Sequence, residues 1–399
     1  MVLAKEERKR GGFSSVVTNL KHLVISLLVL LVLLIIFGLA IGAEAHLFED
    51  RLAYQLDGET HVFYEADGMV VRRLRGDNES GFSVERSVIA QDESKLLEIH
   101  FPADGSAFSV KPREDVETPP TIYTTSQPII AISDIESGYG AFKQFLMAHG
   151  VMNERLDWTF GEGHLVLVGD FVDRGASTTQ VLWAIYQLEQ SAREQGGTVH
   201  FIIGNHEIKF MQGNFQAADE KYFYIAGMLG KQQSDLYGHD ALIGRWMASK
   251  NVLEVINDIA FVHGGLHPEI ADFGLAAEDI NRIVREDYRQ LYFTPQTVTT
   301  ETKLRSSSTG PAWYRGYFKE DLTQEQVEQS LEAVGARAVV VGHTLQSEVS
   351  MSFDRRVIAI DVRHPKDYLT SFPFRESQGL LIDNGDYYRL LEDGTRELL

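Results

Sequence analysis

The chain has 399 residues, no cysteine and a formal net charge of -20. The missing thiols exclude disulfides and thiolate catalysis, and fit an oxidising compartment. The acidic balance would repel a polyanion, so nucleic acid is not an expected partner; its plain meaning is a solvated surface that keeps the protein soluble. The first element in chain order is the uncharged apolar run Leu23 to Ile41. A bilayer-spanning helix needs about 20 such residues, more than the roughly 7 to 15 of a cleavable signal core. The run predicts a retained transmembrane anchor at 23–42. Lys5, Arg8, Lys9, Arg10 and Lys21 lie ahead of it, and Glu44, Glu49 and Asp50 follow. Residues 1–22 then form a cytoplasmic tail, in a single-pass protein of the inner (cytoplasmic) membrane whose bulk faces the periplasm. Ala43-Glu44-Ala45 is also a small-residue cleavage pattern, and cleavage near Ala45 would release a soluble periplasmic protein instead.

From 46 to 117 the composition changes. Apolar and polar residues alternate in His61-Val-Phe-Tyr, in Gly68-Met-Val-Val-Arg-Arg-Leu and in Lys95-Leu-Leu-Glu-Ile-His-Phe, with Asp-Gly pairs at Asp57-Gly58, Asp67-Gly68 and Asp104-Gly105. Alternation punctuated by Asp-Gly reads as hairpins, hence a small β domain. Its simplest role is a spacer from the membrane; the alternative is a wall of the substrate cleft. Lys111 to Thr121, with three prolines, reads as the linker that ends it.

From 125 to 399 the pattern becomes βαβαβ. Pro128-Ile-Ile-Ala-Ile-Ser leads into Asp134-Ile-Glu136, and His164-Leu-Val-Leu-Val into Gly169-Asp170-Phe-Val-Asp173-Arg174-Gly175. Val199-His-Phe-Ile-Ile leads into Gly204-Asn205-His206-Glu207; Phe261-Val ends at His263 and Val339-Val-Val-Gly at His343. Such runs read as buried parallel strands, whose carboxyl ends open into the crevice where α/β sheets hold ligands. Carboxylate, amide and imidazole side chains gathered there suit divalent cations, and a pair of ions roughly 3.5 to 4 Å apart can clamp an in-line displacement at phosphorus. Thr178 to Gln190 has helical apolar spacing and should pack on the sheet. Phe293 to Gly310, rich in Thr and Ser, is expected to be a mobile loop at the cleft.

These motifs resemble the metal-dependent phosphoprotein phosphatases of the calcineurin-like metallophosphoesterase superfamily. Asn257-Asp-Ile-Ala-Phe-Val-His263, Gly310-Pro-Ala-Trp-Tyr-Arg315-Gly-Tyr-Phe and Asp393-Gly-Thr-Arg-Glu narrow the resemblance to its Shewanella-type branch. The resemblance implies an α/β (α+β) metallophosphoesterase sandwich of central mixed β-sheets flanked by helices, here preceded by the small β domain and the transmembrane helix. It implies two divalent ions, manganese first, with iron, zinc or magnesium also accepted. Asp170 would bridge them, Asn205, His263 and His343 would complete one, and Asp134 would serve the other. His206 would be the general acid, with Asp173 orienting its ring. Arg174 and Arg315 would grip phosphate, and the nucleophile would be hydroxide held on the ions rather than a side chain. The substrate would be a phosphorylated protein, on phosphotyrosine or phosphoserine/threonine, or a small phosphomonoester; the same core also serves nucleotide and phosphodiester hydrolases.

One motif departs from the family's Asp-x-His-Gly: the sequence here is Asp134-Ile-Glu136-Ser. Glu136 as a ligand would favour harder metals such as manganese or magnesium and raise the pKa of bound water. Turned away, it would leave one ion weakly held, and the fold would be a slow enzyme or only a binder of phosphorylated partners.

Overall fold

A computed structural model describes residues 3–49, 55–66, 68–89, 96–101, 105–113, 116–291, 293 and 297–399. Leu3–Ala40 forms one helix, and its Val17–Ala40 portion is long and apolar enough to cross a membrane. Gly42, at φ 76°, ends the helix: Ala43 N–H donates to Gly38 O at 2.9 Å and Gly42 N–H to Leu39 O at 3.0 Å, a left-handed cap that satisfies the last carbonyls. Beyond it, Ala45–Glu49 pairs with Leu369–Phe372.

Residues 49–369 and 375–399 form a second compact unit. Thr60–Glu65, Gly68–Asp77 and Gly81–Val88 make an antiparallel three-stranded sheet, and Leu97–Phe101 pairs with Ser106–Val110. Asp67, Lys95 and Asp104 of the expected turns and strands, and Glu114 and Asp115 of the expected linker, lie outside the described residues. Asp57-Gly58 does not join two paired strands. It precedes the sheet, where the Asp57 carboxylate accepts from Gly76 N–H at 3.0 Å. A further hairpin turn is held by Asp77 Oδ1, which accepts from Glu79 N–H at 2.8 Å and Ser80 N–H at 2.7 Å.

This β region is fastened to helices that belong to the following sheets. Trp183 Nε1–H donates to Thr60 O at 2.9 Å, and Lys221 pairs with Glu59 at 3.1 Å with both side chains buried. His61 lies beside them; burial pushes its imidazole down to about 4, against the opposing pull of the Glu59 carboxylate. Its folded state therefore stays neutral while the unfolded chain takes up a proton below about pH 6.5, so this histidine costs stability as pH falls from 6.5 towards 4. The slope is at most about 1.4 kcal/mol per pH unit. His61→Leu is expected to remove that share of the acid sensitivity, seen as a flatter fall of the urea midpoint between pH 6.5 and 4.5 than in the parent; parallel curves would show that His61 does not titrate this way.

Two mixed six-stranded sheets face each other. One runs Thr198–Ile202, His164–Val168, Ile129–Ile132, Gln378–Asp383, Asp386–Leu391, Arg396–Leu398, with the first three parallel. The other runs Ser350–Ser352, Val357–Ala359, Ala338–Val341, Ile259–Val262, Leu253–Ile256, Ile122–Tyr123. Alternate residues explain why the strand runs are largely apolar. Ile129, Ala131, Val166, Val168 and Ile202 join Ile259, Phe261, Val340 and Ile358 in one core, while Ile130, Ile132, Leu165 and Leu167 join Phe142, Val181 and Ile185 of two helices in another. Those helices span Tyr139–Ala148 and Thr178–Glu194.

The expected loop from Phe293 to Gly310 contains a helix, Thr300–Arg305. Thr299 and Thr302 cap it reciprocally, Thr299 N–H donating to Thr302 Oγ1 at 2.8 Å, and Leu304 is buried as its single apolar anchor.

Candidate active site

The strand ends meet at one edge of the two sheets, and the backbone there is forced. Asp134, Glu136, Ser137, Asp170, Asp173, Arg174 and His343 all have φ between 47° and 69°. Non-glycine residues in this region cost of order 1 kcal/mol or more each and persist only where surroundings over-determine them. Glycine supplies the closest approaches: a Cβ on Gly169 would stand 2.6 Å from His263 Nδ1 and 2.7 Å from Gly204 Cα.

Glu207 over-determines the main turn. Its fully buried carboxylate accepts from the N–H groups of Gly204 at 2.8 Å, Asp170 at 2.9 Å, Phe171 at 2.8 Å and Val172 at 3.3 Å. The sequence displayed it inside a motif without suggesting this task. Glu207→Gln would set an amide N–H against donors and leave two of them without an acceptor. Each orphaned buried group costs about 1 to 3 kcal/mol. A loss of at least about 2 kcal/mol in urea unfolding is therefore expected, and an unchanged midpoint would remove Glu207 from this role.

Asp170, His263 and His343 place ligand atoms within 4.8 Å of one another, all buried. His263 Nδ1–H donates to Val168 O at 2.8 Å, which turns Nε2 and its lone pair towards Asp170 Oδ2, 3.0 Å away. The Asn205 amide oxygen stands 3.1 Å from that Nε2, 2.8 Å from His343 Nδ1 and 3.2 Å from Asp170 Oδ2. Four electron-pair donors thus converge, and the oxygen-and-imidazole set fits a divalent cation. Turning the amide over would instead aim its N–H groups at His343 Nδ1 and Asp170 Oδ2 and let its oxygen accept from Lys209 Nζ at 3.2 Å, the better arrangement without a cation. Ionisation agrees. Burial opposes charge on both His263 and Asp170, yet the Asp170 and Asp134 carboxylates push His263 up to about 10, and His263 holds Asp170 well below the usual carboxylate range. A proton on His263 then stands in for the cation. His343 is pushed down to about 2 by burial and by charge on His263.

Asp134 touches the same edge: its Oδ2 accepts from His343 N–H at 3.0 Å, and burial lifts its carboxyl to about 7, with the Asp170 charge adding to the rise against His263. Glu136 stands in ion pairs, its carboxylate bonded to Arg174 and 3.4 Å from Lys366 Nζ. Arg174 also lies 3.0 Å from His206 Nε2. Because a guanidinium only donates, this Nε2 carries the lone pair, and Nδ1–H donates to Asp173 Oδ2 at 2.6 Å. Burial raises the Asp173 carboxyl, against the pull of His206. His206 Nε2 is 3.9 Å from Asp170 Oδ2, and the Arg315 guanidinium bonds His343 O and reaches Thr344 Oγ1 at 3.4 Å.

Two further side chains belong here that the motif reading passed over. Lys209 lies 5.1 Å from the centre of the Trp313 ring. Asp361 is buried, and burial first, then the Asp134 and Glu136 carboxylates, holds its carboxyl well above the usual range. Its signal was available: Val357-Ile-Ala-Ile-Asp361 is another apolar run ending in a carboxylate.

The calcineurin-like phosphoesterase family matches residues 127–347. Shewanella-like protein phosphatase 2 of Arabidopsis thaliana is 22% identical over 326 residues, covering 69% of this chain and 81% of that protein. Shewanella-like protein phosphatase 1 of Plasmodium berghei is 26% identical over 232 residues, covering 55% and 61%. Among solved structures, a cold-active protein-tyrosine phosphatase of a psychrophilic Shewanella superimposes with a TM-score of 0.74 at 30% identity, covering 86% of this chain and 98% of that one. The chain therefore belongs to the calcineurin-like phosphoesterase family as a metal-dependent phosphatase, a phosphoric monoester hydrolase close to the Shewanella-like protein phosphatases.

Proposed function

We propose that this phosphatase removes phosphate from phosphorylated protein side chains, with His206 as general acid and with Arg174 and Arg315 gripping the phosphoryl group. The observation that carries the proposal is the Asp173–His206 pair, with a 2.6 Å bond on one ring nitrogen and the other nitrogen 3.9 Å from the Asp170 carboxylate of the cation-fitting cluster. Two bound divalent ions, manganese first, would activate the attacking water and offset phosphoryl charge. Asp170, Asn205, His263 and His343 would hold one ion, and Asp134 with Asp170 the other.

The protein's own steps follow from the hydrogen bonds. Arg174 leaves His206 Nε2 to fork onto phosphate oxygens, as a planar guanidinium does well. Nε2 then takes up a proton, Asp173 stabilises the resulting imidazolium, and the proton passes to the departing side-chain oxygen. Both the similarity to a tyrosine phosphatase and that to Shewanella-like protein phosphatases support a protein substrate. The test compares p-nitrophenyl phosphate with bis-p-nitrophenyl phosphate, then phosphotyrosine with phosphoserine and phosphothreonine peptides. Faster turnover of the monoester and of at least one peptide is expected; preference for the diester would overturn the substrate class.

The apolar helix supports a second part of the proposal, a single-pass membrane anchor with the following residues outside the cytoplasm, because the basic residues precede it. Protease added to intact spheroplasts should then digest the catalytic part; protection would reverse the topology.

A further inference from the structure

We infer that Asp361, rather than Glu136, completes the protein ligands of the ion served by Asp134 and Asp170. The inference rests on the two-ion reading above. The usual candidate is taken: the Glu136 carboxylate is neutralised by Arg174 and by Lys366, whose Nζ also donates to Arg174 O at 3.2 Å. Asp361 is the reverse case. It is 6% exposed, and its carboxylate makes no hydrogen bond or ion pair among the described residues. A buried carboxylate without a counter-charge is costly and is ordinarily paired or bound to metal.

Strand register brings it to the same end of the sheet as the other site residues. Val357–Ala359 runs parallel to Ala338–Val341 with Ala359 opposite Val341, and Ile360 N–H continues the pairing by donating to Val341 O at 2.9 Å. Asp361 and His343 each follow two residues after the last pair of that register, at the same end of the sheet, and the His343 N–H is bound to Asp134 Oδ2. Asp134, which follows Ile129–Ile132 in the facing sheet, and Asp361 are thus two buried carboxylates at the same edge of the two sheets, with Arg174 and Lys366 committed to Glu136. A divalent ion between Asp134, Asp361 and the shared Asp170 supplies the missing positive charge with oxygen ligands that suit manganese or magnesium. Glu136 becomes a positioning residue that parks Arg174 until phosphate competes for it.

The test is metal stoichiometry, by mass spectrometry of the full chain purified in detergent and equilibrated with manganese, alongside manganese electron paramagnetic resonance. The parent and Glu136→Gln are expected to hold two ions per chain with a spin-coupled signal. Asp361→Asn should hold one, with the six-line signal of an isolated ion and at least tenfold weaker binding of the second. Asp361→Asn retaining two ions, Glu136→Gln falling to one, or a parent that binds only one would each overturn the assignment. If Asp361→Asn fails to melt cooperatively, Asp361→Glu decides, two ions supporting the role and one refuting it. Turnover is not part of the readout, so a chain that binds two ions but hydrolyses no monoester would overturn the proposed function and leave this assignment standing.

Discussion

Asp170→Asn is expected to abolish metal retention and reduce turnover by about a thousandfold or more, equivalent to roughly 4 kcal/mol of barrier. The position tolerates no neutral substitute because its carboxylate does three things at once. Oδ2 faces His263 Nε2 at 3.0 Å, Oδ1 accepts from His206 N–H at 2.9 Å, and the charge is the one that His263 answers in the absence of a cation. Removing it also has a spectroscopic consequence in the metal-free protein. The His263 imidazole, held up near 10 largely by that carboxylate working against burial, should fall back, so that at pH 8 it is protonated in the parent and neutral in the variant. Nuclear magnetic resonance of the ring protons checks this directly. Retained metal with retained turnover would mean that the cluster is not the reaction centre.

His206→Ala is expected to leave metal content unchanged while lowering turnover by about 10²- to 10⁴-fold, the usual range for a lost general acid. The size of the loss should follow the leaving group. p-Nitrophenolate departs without help, so its ester should suffer least; an alkyl phosphate such as phosphoserine needs the proton and should suffer most. Asp173→Asn should move in the same direction, because an amide in place of the carboxylate weakens the hold on Nδ1–H and the support for imidazolium. Equal losses on both esters would assign His206 to phosphate binding instead.

The parts of this fold legible in the sequence were those whose physics is local. The strand runs ending at Asp170, Asn205, His263 and His343 announced themselves because burial on both faces keeps them largely apolar until the strand stops. The pairing of Asp173 with His206 came through the family resemblance, and its 2.6 Å geometry lies within one site built from two motifs. Long-range partners were not legible. Nothing local to Glu136 says that Lys366 and Arg174 will claim its charge, and nothing near Asp361 says that strand register will bring it to the sheet end where His343 lies. Within the stretch before Gly310 the short helix Thr300–Arg305 was not legible, because its cap is two threonines answering each other, a signal easily lost in a Thr-rich run.

Trp183 and Lys221 carry a practical consequence for anyone dissecting the protein. Their partners, Thr60 O and Glu59, come from the β region near the amino terminus, and all four residues are buried. A fragment trimmed to the family match at residue 127 would retain every proposed catalytic side chain, yet it would bare a lysine, an indole N–H and the apolar surface now covered by Val62 and Phe63. Such a fragment should be insoluble or short-lived. The shortest piece worth expressing begins ahead of Leu56, so that Glu59, Thr60, Val62 and Phe63 keep their buried partners.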